Sequence, residues 1–249
     1  MAGHSKWANI KHKKGKMDAV KGKIFTRVTK EIISAVKQGG SDPKSNPKLR
    51  LALQKAKDAN LPNDNIERNI KKATSKDQAD YIEVTYELYG HGGVGLLVDI
   101  MTDNKNRTTA EVRNLLNKRG GSLAGAGSTA FMFTKKGYLE VEKSKSSEDA
   151  VMEVALEAGA EDVKTEGETY EIFTEPTAFE AVRTAFVAKK IDTVTAEITM
   201  VPTSTVKVEG SDAKNLLGLI ELLEENEDIQ HVHANFDISD EVMAQLSEE

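Results

Sequence analysis

The residues with the strongest chemical character lie at the start of the chain, where cations recur without acidic neighbours. Nine of the first thirty residues are Lys or Arg, and only Asp18 is acidic. Such a density is typical of arms that neutralise phosphates, although a solvated tail that keeps the protein soluble is the alternative. The candidate nucleic-acid contacts are these cations and three ring side chains that could stack on bases or bond phosphates: His4, Lys6, Trp7, Lys11, His12, Lys13, Lys14, Lys16, Lys21, Lys23, Arg27 and Lys30.

A second candidate site is the polar stretch over residues 102–108, which joins a predicted strand to a predicted helix. Short polar residues in such a place could simply cap the helix and shape the loop. Their amides and charges would equally suit gripping a backbone or orienting a side chain. The candidate functional loop consists of Asp103, Asn104, Lys105, Asn106 and Arg107.

Two glycine-rich stretches favour structural roles. Residues 90–95 resemble a phosphate loop, but no Gly-Lys-Ser/Thr follows and a strand comes next, so a hairpin turn is favoured. Residues 121–128 hold three glycines and no bulky polar group, which favours close backbone packing over catalysis. No nucleophile and base pair with a recognisable local signature appears, so we expect no enzyme.

Metal and cofactor chemistry is not indicated. His231 and His233 alternate on a predicted strand without an acidic partner at ligand spacing, so we expect no metal site. The chain has no cysteine, which excludes disulfides, zinc ribbons and cysteine nucleophiles. We expect no cofactor.

The net charge conceals an asymmetry. Over the whole chain it is 34 − 40 = −6. Residues 1–80 hold 19 Lys/Arg and 8 Asp/Glu, a net +11, so the remaining residues hold 15 and 32, a net −17. A polyanion partner is therefore expected for the first part of the chain only.

Three amphipathic helices are predicted in the first 80 residues. The first runs from an N-cap at Asp18 to Gly39, the second begins at Asn46-Pro47, and Leu61 to Asp64 ends the second and caps the third. The first helix has an apolar face at Ile24, Phe25, Val28, Ile32, Ala35 and Val36. Its opposite side carries Lys23, Arg27, Lys30, Ser34 and Lys37, and further outward cations are expected at Arg50, Lys55, Lys57, Arg68, Lys71 and Lys72.

Strands dominate after residue 80. A hairpin over residues 82–101 precedes a helix capped at Thr108-Thr109, and from Gly137 to Met200 the predicted order is strand, helix, strand, strand, helix, strand, a ferredoxin-like unit. The tail adds a strand, a helix and a strand that cannot close a sandwich alone. We therefore predict an α+β fold with a three-helix bundle and two ferredoxin-like two-layer sandwiches, one inserted into the other.

The predicted domains are residues 1–80 (basic arm and bundle), 81–134 with 203–238 (discontinuous domain), 135–202 (inserted domain) and 239–249 (acidic tail). A length of 249 residues exceeds the roughly 150 of one domain. No apolar run approaches the roughly 18 residues that span a bilayer, and the basic start lacks an apolar signal segment. We expect a cytoplasmic protein without a membrane partner, with a monomer favoured.

The first fourteen residues, MAGHSKWANIKHKK, resemble the N-terminal signature of the YebC family. Similar stretches include residues 102–108 and Phe131-Met132-Phe133, and together they cover most of residues 1–137. The resemblance implies the bundle and the paired ferredoxin-like domains. It also implies a cytoplasmic, non-enzymatic regulator of gene expression that binds DNA in transcription, or ribosomal RNA at ribosomes stalled in proline-rich synthesis. A ferredoxin-like sensor of small ligands is the alternative.

Overall fold

The computed structural model describes residues 17–75, 80–239 and 241–242, without the side chains of residues 17–21 and 166. These residues form two compact units: residues 131–205 are one, and the described residues before 131 and after 205 are the other. Residues 1–16 of the basic arm and residues 243–249 of the acidic tail lie outside the described residues. The three-domain boundaries given above stay a prediction.

Three helices begin the first unit: α1 (Met17–Gly39), α2 (Pro47–Asp58) and α3 (Asn63–Ala73). Because α1 includes Asp18, the expected N-cap at that residue is wrong. Their shared apolar core consists of Val28, Ile32, Ile33, Ala35, Val36, Leu49, Ala52, Ala56, Leu61, Ile66 and Ala73. No helix in the described part of the chain is long and apolar enough to cross a bilayer. We call residues 17–75 the helical segment.

Asn46 connects the first two helices, as its position before Pro47 predicts. Its Oδ1 accepts a hydrogen bond from the Leu49 amide at 3.1 Å, which caps α2. Its Nδ2 donates to the carbonyls of Ala35 and Gly40 at 2.7 and 2.8 Å, near the end of α1. One amide side chain therefore joins the start of α2 to the last turns of α1. The third helix lacks such a cap, because its N-cap residue is Pro62.

The remaining elements alternate strands with helices. In chain order they are β1 (Ile82–Tyr89), β2 (Gly95–Thr102), α4 (Lys105–Arg119), β3 (Ser122–Leu123), β4 (Phe133–Glu142), α5 (Glu148–Glu157), β5 (Asp162–Glu166), β6 (Thr169–Thr174), α6 (Phe179–Ala188), β7 (Thr195–Pro202), β8 (Val206–Lys207), α7 (Gly210–Glu225), β9 (Ile229–Ala234) and β10 (Phe236–Asp237).

The first unit contains a four-stranded sheet in the order β3-β1-β2-β9, with every neighbouring pair antiparallel. The predicted hairpin is confirmed: one 3-10 turn at His91–Gly93 joins β1 to β2, with Gly92 and Gly93 at φ 69° and 77°. Strands β8 and β10 form a separate parallel pair. Apolar residues of α4 and α7 pack with the sheet in one core. The last strand of this sheet therefore comes from the chain after the second unit.

The second unit has its own antiparallel sheet in the order β5-β6-β4-β7. Its element order is the predicted strand, helix, strand, strand, helix, strand. Strand β4 begins at Phe133, earlier than expected, and Leu139, Ile172 and Phe186 are fully buried in the core beneath α5 and α6.

Candidate functional site

The candidate loop forms the end of β2 and the first turn of α4. The Asn104 side chain accepts a hydrogen bond from the Arg107 amide at 3.1 Å and is the N-cap. The helix therefore begins at Lys105, and the expected cap at Thr108-Thr109 is wrong. Residues 103–107 are exposed, whereas Thr102 and Thr108 on either side are fully buried. The loop consequently presents its amides and charges from two buried threonine anchors.

Asp228, in the loop between α7 and β9, connects this loop to the helical segment. Its Oδ2 accepts hydrogen bonds from Arg107 at 2.7 Å, Thr108 at 2.7 Å and Thr102 at 3.0 Å. Its Oδ1 accepts from Lys30 Nζ at 2.6 Å. We call these five residues the Asp228 cluster. The carboxylate is thereby a junction between α1, the end of β2 and the start of α4.

The electrostatics of the Asp228 cluster favour the ionised form of Asp228. Burial by itself raises the pKa of Asp228, but hydrogen bonds from Lys30, Arg107 and Thr108 and the charge of Lys30 outweigh burial and hold that pKa well below its usual range. The hydrogen bond to Asp228 is the main cause of the raised pKa of Arg107. Burial and then the charges of Asp103 and Asp228 raise the pKa of the neighbouring Tyr81. The carboxylate is therefore an anion at all physiological pH values.

Three cations on α1 face the end of α7, and we call Lys23, Arg27 and Lys30 the α1 ridge. Arg27 donates to the Glu224 carbonyl at 2.7 Å, and Lys30 donates to the Glu227 carbonyl at 2.8 Å. Lys23 lies 3.9 Å from a carboxylate oxygen of Glu225. Burial lowers the pKa of Arg27. The acidic part of the chain therefore supplies the acceptors for these cations.

The structure corrects the expectation that this side of α1 faces outward. Lys30 and Ser34 are only 8% and 4% exposed, Arg27 is half-buried, and Lys37 pairs with Asp80 at 2.5 Å. The helical period identified the side correctly, but a second surface of the same chain covers it. Most of the proposed nucleic-acid contacts lie outside what the structure describes. They are His4, Lys6, Trp7, Lys11, His12, Lys13, Lys14 and Lys16, together with the side chain of Lys21.

An open cleft of about 450 Å³ adjoins the Asp228 cluster. The Lys30 ammonium lies 5.7 Å from the centre of the Tyr81 ring, on the cleft wall. The lining residues are Lys30, Tyr81, Asp103, Arg107, Glu111, Asn226, Glu227 and Asp228. Four of these are acidic and two are basic, so in this state the cleft does not favour a phosphate.

Glu87 organises the second glycine-rich stretch. Its carboxylate accepts hydrogen bonds from the amides of Gly127 and Thr129 at 2.6 Å and Ala130 at 2.8 Å. Burial is the largest single influence and raises the pKa of Glu87, but the three backbone donors and the Thr129 hydroxyl together outweigh it and lower that pKa. A Cβ at Gly121 would lie 2.7 Å from the Leu116 side chain. The geometry therefore fits the expected role in close backbone packing, with an anionic clamp that the sequence did not indicate.

The two histidines of β9 have an acidic neighbour. His233 Nε2 lies 3.0 Å from Asp99 Oδ2, and the rings of His231 and His233 stack with their centroids 5.9 Å apart. The spacing along β9 did not indicate this carboxylate, because Asp99 comes from the neighbouring strand β2. Burial, followed by the charge of Lys55, lowers the pKa of His231 to about 3. Among the described residues, no group of three or more His, Cys, Asp or Glu is arranged to hold a metal ion.

A further set of cations on the helical segment is exposed. No ion pair joins them to a carboxylate of the described residues; they are Lys44, Arg50, Lys57, Arg68, Lys71 and Lys72. Lys55 differs, because it is half-buried and pairs with Glu31 at 2.9 Å. Five of the six cations expected to point outward on α2 and α3 are therefore exposed.

Sequence reasoning missed Asp228, Tyr81 and Glu87, which lie far along the chain from their partners or in ordinary strand patterns. One signal was present: Asn226-Glu227-Asp228 is a polar turn in the acidic part of a chain whose first part is basic. Opposite charges at the two ends of one chain can neutralise each other as readily as they bind outside partners.

The helical segment and the two antiparallel sheets define a protein of mixed α/β class. Its family follows from comparison with known proteins. Residues 5–76 match the family model described as the TACO1/YebC protein N-terminal domain. Residues 81–236 match the model for the TACO1/YebC second and third domain. The chain belongs to the TACO1/YebC family.

Relatives extend over nearly the whole chain. A probable transcriptional regulatory protein of Protochlamydia amoebophila is 54% identical over 97% of this chain and 99% of its own length. A protein of the same description from Carboxydothermus hydrogenoformans is 50% identical over 96% of this chain and 100% of its own. The crystal structure of a conserved hypothetical protein from Aquifex aeolicus superposes with a TM-score of 0.82 and 41% identity, covering 91% of this chain and 94% of that one.

Proposed function

We propose that the protein is a cytoplasmic, nucleic-acid-binding regulator of gene expression that acts by binding and not by catalysis. The observation that carries the proposal is the set of exposed cations on the helical segment that have no carboxylate partner among the described residues. When surface cations of this kind neutralise phosphates, the counterions condensed on the nucleic acid are released, and this release supplies a large share of the binding affinity. The relatives described as probable transcriptional regulatory proteins support the same function.

The kind of cation favours phosphate contacts over base readout. Four of the six cations without a described carboxylate partner are lysines, and Lys71 and Lys72 are neighbours at the end of α3. Lysine acts as a point charge toward phosphate, whereas base edges are usually read by Arg, Asn or Gln placed in a groove. We therefore propose sequence-tolerant binding through the helical segment, together with the basic arm of residues 1–16.

The Asp228 cluster supports binding rather than catalysis. Both oxygens of Asp228 already accept hydrogen bonds, four in total, two of them from cations. A carboxylate with so low a pKa does not take up protons near neutral pH, so it is a poor general base. We propose that the cluster positions the loop of residues 103–107, whose exposed side chains then face a partner.

Two nucleic acids fit this chemistry. Duplex DNA in transcription follows from the descriptions of the relatives. Structured ribosomal RNA follows from lysine-based phosphate binding on an otherwise acidic chain, because the acidic part would stay clear of the RNA while the helical segment and arm enter it.

The proposal includes the predicted architecture as well: the strand orders β3-β1-β2-β9 and β5-β6-β4-β7 support two ferredoxin-like sandwiches beside a three-helix bundle.

A triple substitution of Lys57, Lys71 and Lys72 by glutamine tests the proposal. If all three meet phosphates, the slope of log affinity against log salt should become shallower by about 2 to 3, since each contact contributes about 0.7 to 0.9. The matched control replaces Lys118, Lys189 and Lys190, also exposed, and should leave the slope unchanged. Titrations with duplex DNA and with structured RNA show which target is preferred. Equal slopes for the triple variant, its control and the unmodified protein would contradict the proposal.

Small-ligand sensing is a second candidate because of the cleft beside the Asp228 cluster. Its four acidic and two basic lining residues would favour a ligand with a cationic group. Such a sensor would gain thermal stability on binding small cationic metabolites and would show no salt-dependent affinity for RNA or DNA. The two candidates therefore give opposite results in the same pair of assays.

A further inference from the structure

The acceptors of the α1 ridge resemble the phosphate oxygens of a nucleic acid in carrying negative charge or partial negative charge. They are the carbonyls of Glu224 and Glu227 and the carboxylate of Asp228, with Glu225 nearby. The first lies at the C-terminal end of α7, where the helix dipole adds negative potential. Cations spaced along one helix thus meet a short row of anionic or partly anionic oxygens, the same chemistry that a phosphodiester chain presents.

The contact between the helical segment and the end of α7 is polar. The apolar core of the helical segment and the apolar core beneath the sheet of the first unit are separate clusters. Within the described residues, the buried Nε of Arg27 has no hydrogen-bond partner, although its terminal nitrogen does. A contact that leaves a buried donor unsatisfied and buries little shared apolar surface is easier to open than a hydrophobic interface.

Opening this contact would not leave the Asp228 carboxylate without hydrogen-bond donors. Three of its four donors, Arg107, Thr102 and Thr108, belong to the sheet part of the unit and stay with it. Only Lys30 leaves with α1, and its ammonium becomes hydrated or meets another anion. The carboxylate therefore keeps three of its four hydrogen bonds, including the one from the Arg107 guanidinium, so the open arrangement also avoids a buried unpaired charge.

We propose that the end of α7 and Asp228 form an internal substitute for nucleic-acid phosphates, which holds the α1 ridge back until nucleic acid displaces it. This autoinhibitory contact rests on the proposed nucleic-acid-binding function. In the closed arrangement, the cations that the described part of the helical segment leaves available are the exposed ones of α2, α3 and the turn between α1 and α2. Once phosphates replace the internal oxygens, Lys23, Arg27 and Lys30 add to the binding surface and the helical segment separates from α7.

A crosslinking experiment tests the exchange in the full-length protein. The chain has no cysteine, so Lys23→Cys together with Glu225→Cys creates a unique pair at a surface position of the contact. The double variant is joined with a short bismaleimide, and the matched control is the same variant capped with a monofunctional maleimide. Locking should remove up to two phosphate contacts, those of Arg27 and Lys30, so the salt slope should become shallower by up to about 1.4 to 1.8. Equal slopes for the locked and capped proteins would overturn the proposal.

A second measurement follows the separation itself. Pyrene maleimide on the same two cysteines should give excimer fluorescence in the free protein and lose it when a duplex DNA or a structured RNA is added. Persistent excimer emission at saturating nucleic acid would overturn the autoinhibitory contact while leaving the proposed function intact. Absence of salt-dependent binding to either nucleic acid, including in the capped protein, would instead overturn the proposed function and this inference with it.

Discussion

Replacing Asp228 should lower the stability of the protein more than replacing Lys30, its partner in a buried ion pair. The Asp228→Asn side chain can place its one oxygen where Arg107, Thr102 and Thr108 donate, because all three bond the same oxygen of Asp228. Its NH2 group then faces the Lys30 ammonium, donor against donor, where the carboxylate oxygen lay at 2.6 Å. The substitution consequently leaves Lys30 buried and without its counterion.

The size of the effect follows from burial. The side chains of Lys30 and Asp228 are 10% and 8% exposed, so Asp228→Asn, which leaves the Lys30 ammonium buried without a counterion, falls in the range for a broken buried ion pair, about 3 kcal/mol or more of unfolding free energy. Arg107 is 44% exposed, and because solvent screens its charge, its ion pair with Asp228 contributes only a minor part of this unfolding free energy. Lys30→Met keeps the apolar stem and leaves Asp228 with three donors, so it should cost only about 1 to 2 kcal/mol.

Urea unfolding of the full-length single variants and the double variant measures both effects. The double variant should be more stable than Asp228→Asn alone, since it no longer buries an unpaired ammonium. The pKa of Asp228 is lowered on folding, so its contribution is present above the ordinary value near 3.8 and is lost as the pH falls below it. The deficit of Asp228→Asn should therefore narrow in acid. A Lys30→Met variant that loses as much stability as Asp228→Asn would refute this reasoning.

Two further predictions concern other charged groups of the first unit. Glu87→Gln removes the charge that holds the amides of Gly127, Thr129 and Ala130. The substitution should lower the unfolding free energy by about 1 to 2 kcal/mol and speed hydrogen exchange of these amides, and Glu83→Gln on the same strand is the control. Because the folded pKa of Glu87 is lowered, the loss of stability should be smaller at pH 3 than at pH 7, and equal losses would contradict the clamp. The folded pKa of His231 is lowered to about 3, so its neutral form contributes stability that is lost as the pH falls from 6.5 toward 3. His231→Gln should flatten this decline between pH 6.5 and 5 in thermal unfolding, and an unchanged slope would count against burial as the cause.

Local patterns predicted most elements of the fold. The helical period of α1 identified Val28, Ile32 and Val36 as core, and Asn46-Pro47 marked the start of α2. Alternation in β1 and the glycines after it predicted the hairpin. These signals work because side chains within one element determine which face is buried, and capping depends on residues three or four positions apart.

Pairings between distant segments were not predictable in the same way. The sequence pattern predicts that the basic side of α1 faces solvent, because no local feature shows that residues 224–228 cover it. Asp228 lies 198 residues from Lys30, and its charge is ordinary for the acidic part of the chain. The Thr108-Thr109 cap failed for a local reason: Asn104 is an equally good cap and lies four residues earlier.

The split sheet of the first unit has a consequence for the order of events during synthesis. Residues 131–205 contain all four strands of their own sheet and can fold once they leave the ribosome, whereas β2 must wait for β9. The 198 residues between Lys30 and Asp228 take about 10 to 40 s to translate at about 5 to 20 residues per second. During that interval α1 lacks its acidic partner, so the nascent protein has a different electrostatic surface from the finished one.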